Sequence, residues 1–256
     1  MKQSVFITVL LVVAVAISFA IFYLVFGNAA NFKDPAMTTP ANIFGQIYKG
    51  GWVVPLLLTI SIMVITFVFE RTFSLRKARG KGAIEPFLKR VQSSVTDNDI
   101  EGAIAECDKQ RGSLANVLRL GLERYQIVKD DPIDAEKKLA EVQRSIEEAM
   151  MLEVPLLERN LIALSTIASI SVLMGLFGTV LGMIRSFQAL ATAGTPNATE
   201  LSTGISEALV NTAFGIFGAI VAIISYNFFS NKVSNFTYMI DEATYNIMQI
   251  LTVKSK

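Results

Sequence analysis

Four side chains in the carboxyl-terminal half of the chain hold most of its chemical possibilities: Thr179, Arg185, Glu207 and Thr212. A threonine hydroxyl both donates and accepts a hydrogen bond, so it can hold a water wire or bridge to a carboxylate without bearing charge. Glu207 precedes the polar Asn211 and Thr212, which fall on adjoining faces of a helix. The residue types that are missing narrow the chemistry further. Among 256 residues there is no histidine, which removes the commonest general base and metal ligand together. Cys107 is the one cysteine, so neither an internal disulfide nor a multi-cysteine metal cluster can form. The chain lacks GxGxxG, GxxxxGK[ST], HExxH and a nucleophile elbow. GLFGTVLG, residues 175–182, is glycine-rich but has no lysine, and it reads as packing. No enzyme activity and no cofactor are expected.

The elements that hold these residues are set by charge. Hydrophobic residues make up 52% of the chain and charged ones only 18%, against about 25% charge in a soluble domain. A net charge of +1 supplies no basic excess to displace counterions from nucleic acid. The charges also leave gaps. Val5–Phe26, Gly50–Phe69, Asn160–Ile184 and Ala208–Asn231 are uncharged, and each reaches the roughly 20 residues that a helix needs to cross a bilayer. A membrane barrel is excluded, because these runs lack short alternating segments. Val5–Phe26 is longer than a secretory signal and reads as a retained anchor, a cleaved signal being the alternative. Residues 71–90 carry seven bases against the single acid Glu85, whereas Gln188–Gly204 has no Lys or Arg. The positive-inside bias therefore places the first region in the cytoplasm and the second outside. Both termini fall inside, which suits Lys2, Lys254 and Lys256.

Residues 71–160 hold 16 of the 23 bases and read as helical. Asp97 or Asp99 can cap a helix over DNDIEGAIAEC. Asp131-Pro132 begins another, along which Ile133, Leu139, Val142, Ile146 and Met150 recur at helical spacing. The next strong breaker is Pro155, so a rod from 132 to 187, of roughly 80 Å and bent at Pro155, is expected. Cys107 lies beside Ile104 and Ala105 and reads as structural.

Two stripes of small residues mark the last two apolar runs. Gly175, Thr179, Gly182 and Ser186 form one, and Ala208, Thr212, Gly215, Ala219 and Ala222 the other. Such stripes serve tight helix packing; alternatively, they line a narrow conduit along the threonine hydroxyls. Ionisable groups in spanning segments usually face a bundle interior or a wet cavity. Arg185, close to the membrane edge, reads as snorkelling. Glu207, shorter and followed by polar residues, reads as functional.

LERNLIALSTIASISVLMGLFGTVLGMIRSF (157–187) and GISEALVNTAFGIFGAIVAIISYNFFSNKVSNF (204–236) resemble the MotA/TolQ/ExbB proton-channel family, closest to its ExbB/TolQ branch. The likeness extends to DIEGAIAECDKQRGSLANVLRLGLERY (99–125). The chain departs from the family in the extra segment at 5–26, in Ser171-Val172 where members often have Ala-Pro, and in Arg185. The resemblance implies an all-α polytopic membrane bundle whose long helices extend into the cytoplasm, assembled as a pentameric ring in the inner membrane. The ring would surround an ExbD- or TolR-like single-span partner carrying a membrane Asp and act on a TonB- or TolA-like transducer. Thr179, Thr212 and Glu207 would form the proton pathway. Gly175, Gly182, Ala208, Gly215, Ala219 and Ala222 would be the pore-lining stripe. In that setting the chain divides into an anchor (1–30), a periplasmic loop (31–50), a membrane helix (51–70) and a cytoplasmic helical region (71–160). A second membrane helix (161–187), a periplasmic loop (188–203), a third membrane helix (204–231) and a cytoplasmic helix (232–256) follow. A TolQ-like or gliding/flagellar-type stator for envelope maintenance or motility, or a passive membrane scaffold, is the rival reading.

Overall fold

The computed structural model describes residues 3–132, 134–192 and 198–254. Lys2, Ile133 and Lys256, used above for topology and periodicity, lie outside them, as do residues 193–197 of the expected 188–203 loop. Helix α1, Gln3–Ala20, continues as a π-helical turn over Ile21–Phe26. Then come α2 (Ile43–Tyr48), α3 (Val53–Arg79), α4 (Ile84–Thr96), α5 (Ile100–Gln110) and α6 (Ser113–Val128). The last three are α7 (Ala135–Glu158), α8 (Leu161–Thr192) and α9 (Ala198–Lys254). The fold is all-α; among the described residues the one extended pairing is an isolated bridge between Phe32 and Pro40. Four helical stretches, one each within Ile7–Phe26, Val53–Thr96, Ala135–Ala191 and Glu200–Lys254, are long and apolar enough to cross a membrane. Contacts divide the chain into an apolar unit, Met1–Phe69 with Ile162–Asn227, and a polar unit, Glu70–Leu161 with Phe228–Lys256.

In the polar unit each helix is amphipathic and buries one stripe. Phe87, Val91 and Val95 of α4 recur every four residues and are fully buried, as a 3.6-residue period requires. Val233, Phe236, Ile240, Ala243, Ile247 and Leu251 form the matching stripe of α9. Asp99 caps α5, its carboxylate accepting from the Gly102 N–H at 2.9 Å, which satisfies one of the orphan donors of the first turn. Lys254 donates from Nζ to the carbonyls of Val95 (2.8 Å) and Thr96, so the last turn of α9 closes the end of α4. Cys107 is buried, and loss of water around the thiol pushes its pKa up to about 12.

Two expectations need correction here. Helix α7 begins after Asp134 rather than at Asp131-Pro132. No continuous rod joins α7 to α8: the chain breaks at Asn160, which adopts a left-handed φ of 64°. Pro155 lies inside α7, short of the break. Asparagine tolerates this conformation better than most residues, and here its side chain is also bonded, Nδ2 donating to Glu70 Oε2 at 3.1 Å. Beside it lies Arg71, with a fully buried side chain. Its Nε and Nη2 hold the Glu70 carboxylate at 2.7 and 2.6 Å, and its Nη1 donates to the Leu157 carbonyl at 3.2 Å. Arginine and carboxylate together thus fasten the end of α7 to α3. Helix α9 runs unbroken for 57 residues.

In the apolar unit Phe22, Phe26 and Val54 form a core with Ile47, Tyr48, Leu58 and Val210. Asn31 donates from Nδ2 to the carbonyls of Val25 (2.7 Å) and Phe26 (3.1 Å), closing the π-helical turn.

Removing one member of a buried ion pair strands the other charge, at about 3–5 kcal/mol. Arg71→Ala should therefore lower the thermal midpoint in detergent sharply, and Glu70→Leu/Arg71→Met should recover much of the loss; a double variant no better than the single would show that the pair is not what fastens α7. The Cys107 thiol should resist N-ethylmaleimide at pH 7.5 until the protein is unfolded in denaturant, as followed by mass spectrometry.

Candidate functional site

Helices α8 and α9 run antiparallel in the apolar unit and meet along their small residues. A methyl group on Gly175 would lie 3.0 Å from the Gly215 Cα, and one on Gly215 only 2.7 Å from the Gly175 Cα. The backbones therefore touch with no side chain between them. Gly182 faces Ala208 in the same way, a methyl there lying 2.8 Å from the Ala208 nitrogen. Ala219 and Ala222 are buried further along α9. Two hydroxyls stitch the seam: Ser171 Oγ donates to the Gly215 carbonyl at 2.8 Å, and Ser186 Oγ lies within bonding distance of the Gly182 (3.1 Å) and Leu201 (3.2 Å) carbonyls. Close backbone approach of this kind is the usual role of small stripes in membranes. The stripe of Gly175, Gly182, Ala208, Gly215, Ala219 and Ala222 was expected to line a pore. Within the protomer these residues set helix against helix.

The two threonines flank this seam and are only half-buried. Thr179 Oγ1 donates to the Leu176 carbonyl at 2.5 Å and Thr212 Oγ1 to the Ala208 carbonyl at 3.1 Å. With its proton bonded to its own helix, each oxygen keeps lone pairs that can accept from elsewhere.

Arg185 and Glu207 form one ion pair. Arg185 Nη1 lies 2.8 Å from Oε1 and 2.7 Å from Oε2 of Glu207. The Glu207 side chain is 3% exposed and that of Arg185 is 50% exposed, so the pair joins a buried carboxylate to a cation at the unit's surface. The carboxylate rests on Gly51, whose φ of +75° suits glycine, and a Cβ there would fall on Glu207 Oε1. The neighbouring Gly50 carbonyl accepts from Asn211 Nδ2 at 3.0 Å. Asn211 is fully buried, and its Oδ1 has no hydrogen-bond partner among the described residues. The start of α3 is thereby locked to α8 and α9 through polar groups.

Sequence reasoning named Glu207 and Arg185 but gave them separate readings; the structure brings them together. Thr179 and Thr212 are each bonded to their own helix rather than to Glu207. Gly50, Gly51 and the central burial of Asn211 were missed. The paired glycines directly before Trp52 were the available signal for a close approach.

A profile of the MotA/TolQ/ExbB proton channel family matches residues 109–242. The chain belongs to this family. The Pseudomonas aeruginosa Tol-Pal system protein TolQ is 30% identical over 204 residues, covering 78% of this chain and 87% of that protein. The Haemophilus influenzae TolQ is 32% identical over 222 residues, or 81% and 94%. The Salmonella typhimurium biopolymer transport protein ExbB is 37% identical over 93 residues, 36% of this chain and 37% of that one. The MotA/TolQ/ExbB match, which falls near the ExbB/TolQ branch, contains the seam, both threonines, Arg185, Glu207 and Asn211. Gly50 and Gly51 lie outside it. With four helices able to span, the chain is a multi-pass inner-membrane protein of the MotA/TolQ/ExbB family.

Gly51→Ala should push the carboxylate off its seat and cost about 1–3 kcal/mol. In a double-variant cycle with Arg185→Gln, measured by thermal midpoint, the two losses should fall short of their sum, because both break one contact. Strict additivity would separate Gly51 from the ion pair.

Proposed function

We propose that this chain is the ring-forming stator subunit of an ExbB/ExbD-like inner-membrane motor. It works as a homopentamer around single-span ExbD- or TolR-like helices that carry the proton-binding Asp. Proton motive force moves the partner within the ring, and a TonB- or TolA-like transducer passes the work to outer-membrane transport. Residues 71–160 and 232–256 face the cytoplasm, and the 31–50 and 188–203 connections face the periplasm. The protein is no enzyme in this reading.

One observation carries the proposal: Thr179 and Thr212 flank a closely packed seam, half-exposed, each with its proton given to its own helix. Such oxygens can accept a hydrogen bond from a protonated carboxyl, or hold a water that does, without ever becoming charged. No residue of 161–184 or 208–231 is ionisable apart from Tyr226, so the titrating carboxyl has to arrive on another chain. Glu207, paired with Arg185, is the carboxylate member of this path. The energy scale is adequate, since one proton crossing 100 mV delivers roughly 2.3 kcal/mol.

A TolQ-like role in envelope maintenance is the second reading. It is supported by the Tol-Pal relatives, which align over 78% and 81% of this chain. Pull-down with the two candidate transducers separates the readings.

Thr212→Val keeps shape and removes the hydroxyl, so it should leave assembly intact and reduce proton-driven function at least tenfold; Thr179→Val should act likewise, more mildly. Glu207→Gln should give a folded, assembled, poorly active ring, assayed as proton-driven transport at matched protein level across pH 6 to 8. Wild-type activity in all three variants would remove the hydroxyls and the carboxylate from the pathway.

A further inference from the structure

Within the polar unit lies a cavity of about 560 Å³, walled by Arg76 and Arg79 of α3, Lys232 of α9, and the apolar Leu75, Phe229 and Phe236. Among the described residues no carboxylate lines it. Lys232 is steered over the face of Phe228, its Nζ 4.5 Å from the ring centroid, rather than toward an acid. The adjoining cavity, of about 710 Å³, differs in kind: there Arg79 and Lys89 are accompanied by Glu85 and Glu242. Only the first concentrates positive charge without compensation and combines it with aromatic and aliphatic walls.

We infer that this cavity binds an anionic phospholipid of the cytoplasmic leaflet, its phosphate held by Arg76, Arg79 and Lys232 and the upper part of an acyl chain laid on Leu75, Phe229 and Phe236. Placement along the chain supports a lipid. The uncharged run ends at Phe69, so Arg76 and Arg79 follow within roughly 10–15 Å of helix. On α9 the cavity begins at Phe228, where the apolar unit stops, and Lys232 follows one turn later. This is headgroup depth for long basic side chains, which reach back along apolar surface to their anion. Arginine forks match phosphate oxygens in a two-pronged geometry, and basic pockets beside spanning helices on the cytoplasmic side suit anionic headgroups. A wholly water-soluble phosphate has no counterpart for the apolar wall. The proposal uses the cytoplasmic placement of residues 71–160 and stands apart from the motor reading.

The full-length protein, stripped of lipid in detergent, is titrated with phosphatidylglycerol or phosphatidylcholine and examined by native mass spectrometry. The wild type should retain one phosphatidylglycerol per protomer with at least tenfold preference over phosphatidylcholine. Arg76→Gln/Arg79→Gln/Lys232→Gln should bring that preference close to one. The control Lys77→Gln/Lys81→Gln/Lys89→Gln removes the same charge away from the cavity and should change it less than twofold. Should the cavity triple variant not fold, Arg76→Gln and Lys232→Gln alone should each weaken the preference about threefold. Equal losses in the control triple, no loss in the single variants, or indifference between the two lipids would overturn the site. Displacement by millimolar glycerol phosphate would overturn the lipid and leave a free-phosphate site.

Discussion

Two membrane helices can come together until their backbones touch only where side chains are missing from both, and the contact of Gly175 with Gly215 meets that condition. In lipid there is no large hydrophobic gain from joining helices, so association rests on close packing and on hydrogen bonds. The seam supplies both. With the backbones in contact, the Ser171 hydroxyl reaches the Gly215 carbonyl and that of Ser186 approaches the Leu201 carbonyl. A single methyl at Gly175 or Gly215 would part the helices and pull these bonds out of range.

The seam also fixes what lies beside it. Because Gly182 faces Ala208, Arg185 and Glu207 are brought into register even though 22 residues separate them in sequence. Because α9 presents Asn211 on the same face, its amide reaches Gly50, and the start of α3 is drawn onto the pair. Taking both charges of an ion pair out of water is costly. Here the cost is eased on one side, since Arg185 stays half-exposed while Glu207 is enclosed. The charge is thereby concentrated at one end of the seam, and the threonines are left in an uncharged stretch.

Much of this was legible in the chain itself, for identifiable reasons. Uncharged runs mark spans because a bilayer punishes charge over a fixed thickness, and the four runs predicted correspond to the four apolar stretches. A cap at Asp97 or Asp99 followed from their place ahead of a helical pattern, and the structure gives the role to Asp99. The spacing of Gly175, Gly182, Ala208 and Gly215 was visible, but spacing does not say what a stripe faces; within the protomer these residues bring α8 against α9. Pairing of Arg185 with Glu207 depends on the register between two helices, which local sequence does not encode. The break at Asn160 was hidden for a related reason. Proline is a local signal, yet Pro155 is tolerated inside α7. The left-handed turn occurs instead where Glu70 and Arg71, far off in sequence, can hold the chain.

The same economy of charge bears on how the proposed motor works. A titrating group within a fixed ring would hold its proton at one place, whereas a group on a moving partner can take it up on one side and release it on the other. The ring then has to offer hydrogen-bond acceptors that never compete for the proton. Threonine meets this need better than a carboxylate does, since its hydroxyl stays neutral at every physiological pH. Rigidity matters as well, because a partner can be driven only against a wall that does not yield. Thr179 and Thr212 are mounted on the two helices that have no slack between them, each one turn from a glycine or alanine of the seam. The contact that closes the conduit within a protomer is therefore what would make its flanks stiff enough to carry one between subunits.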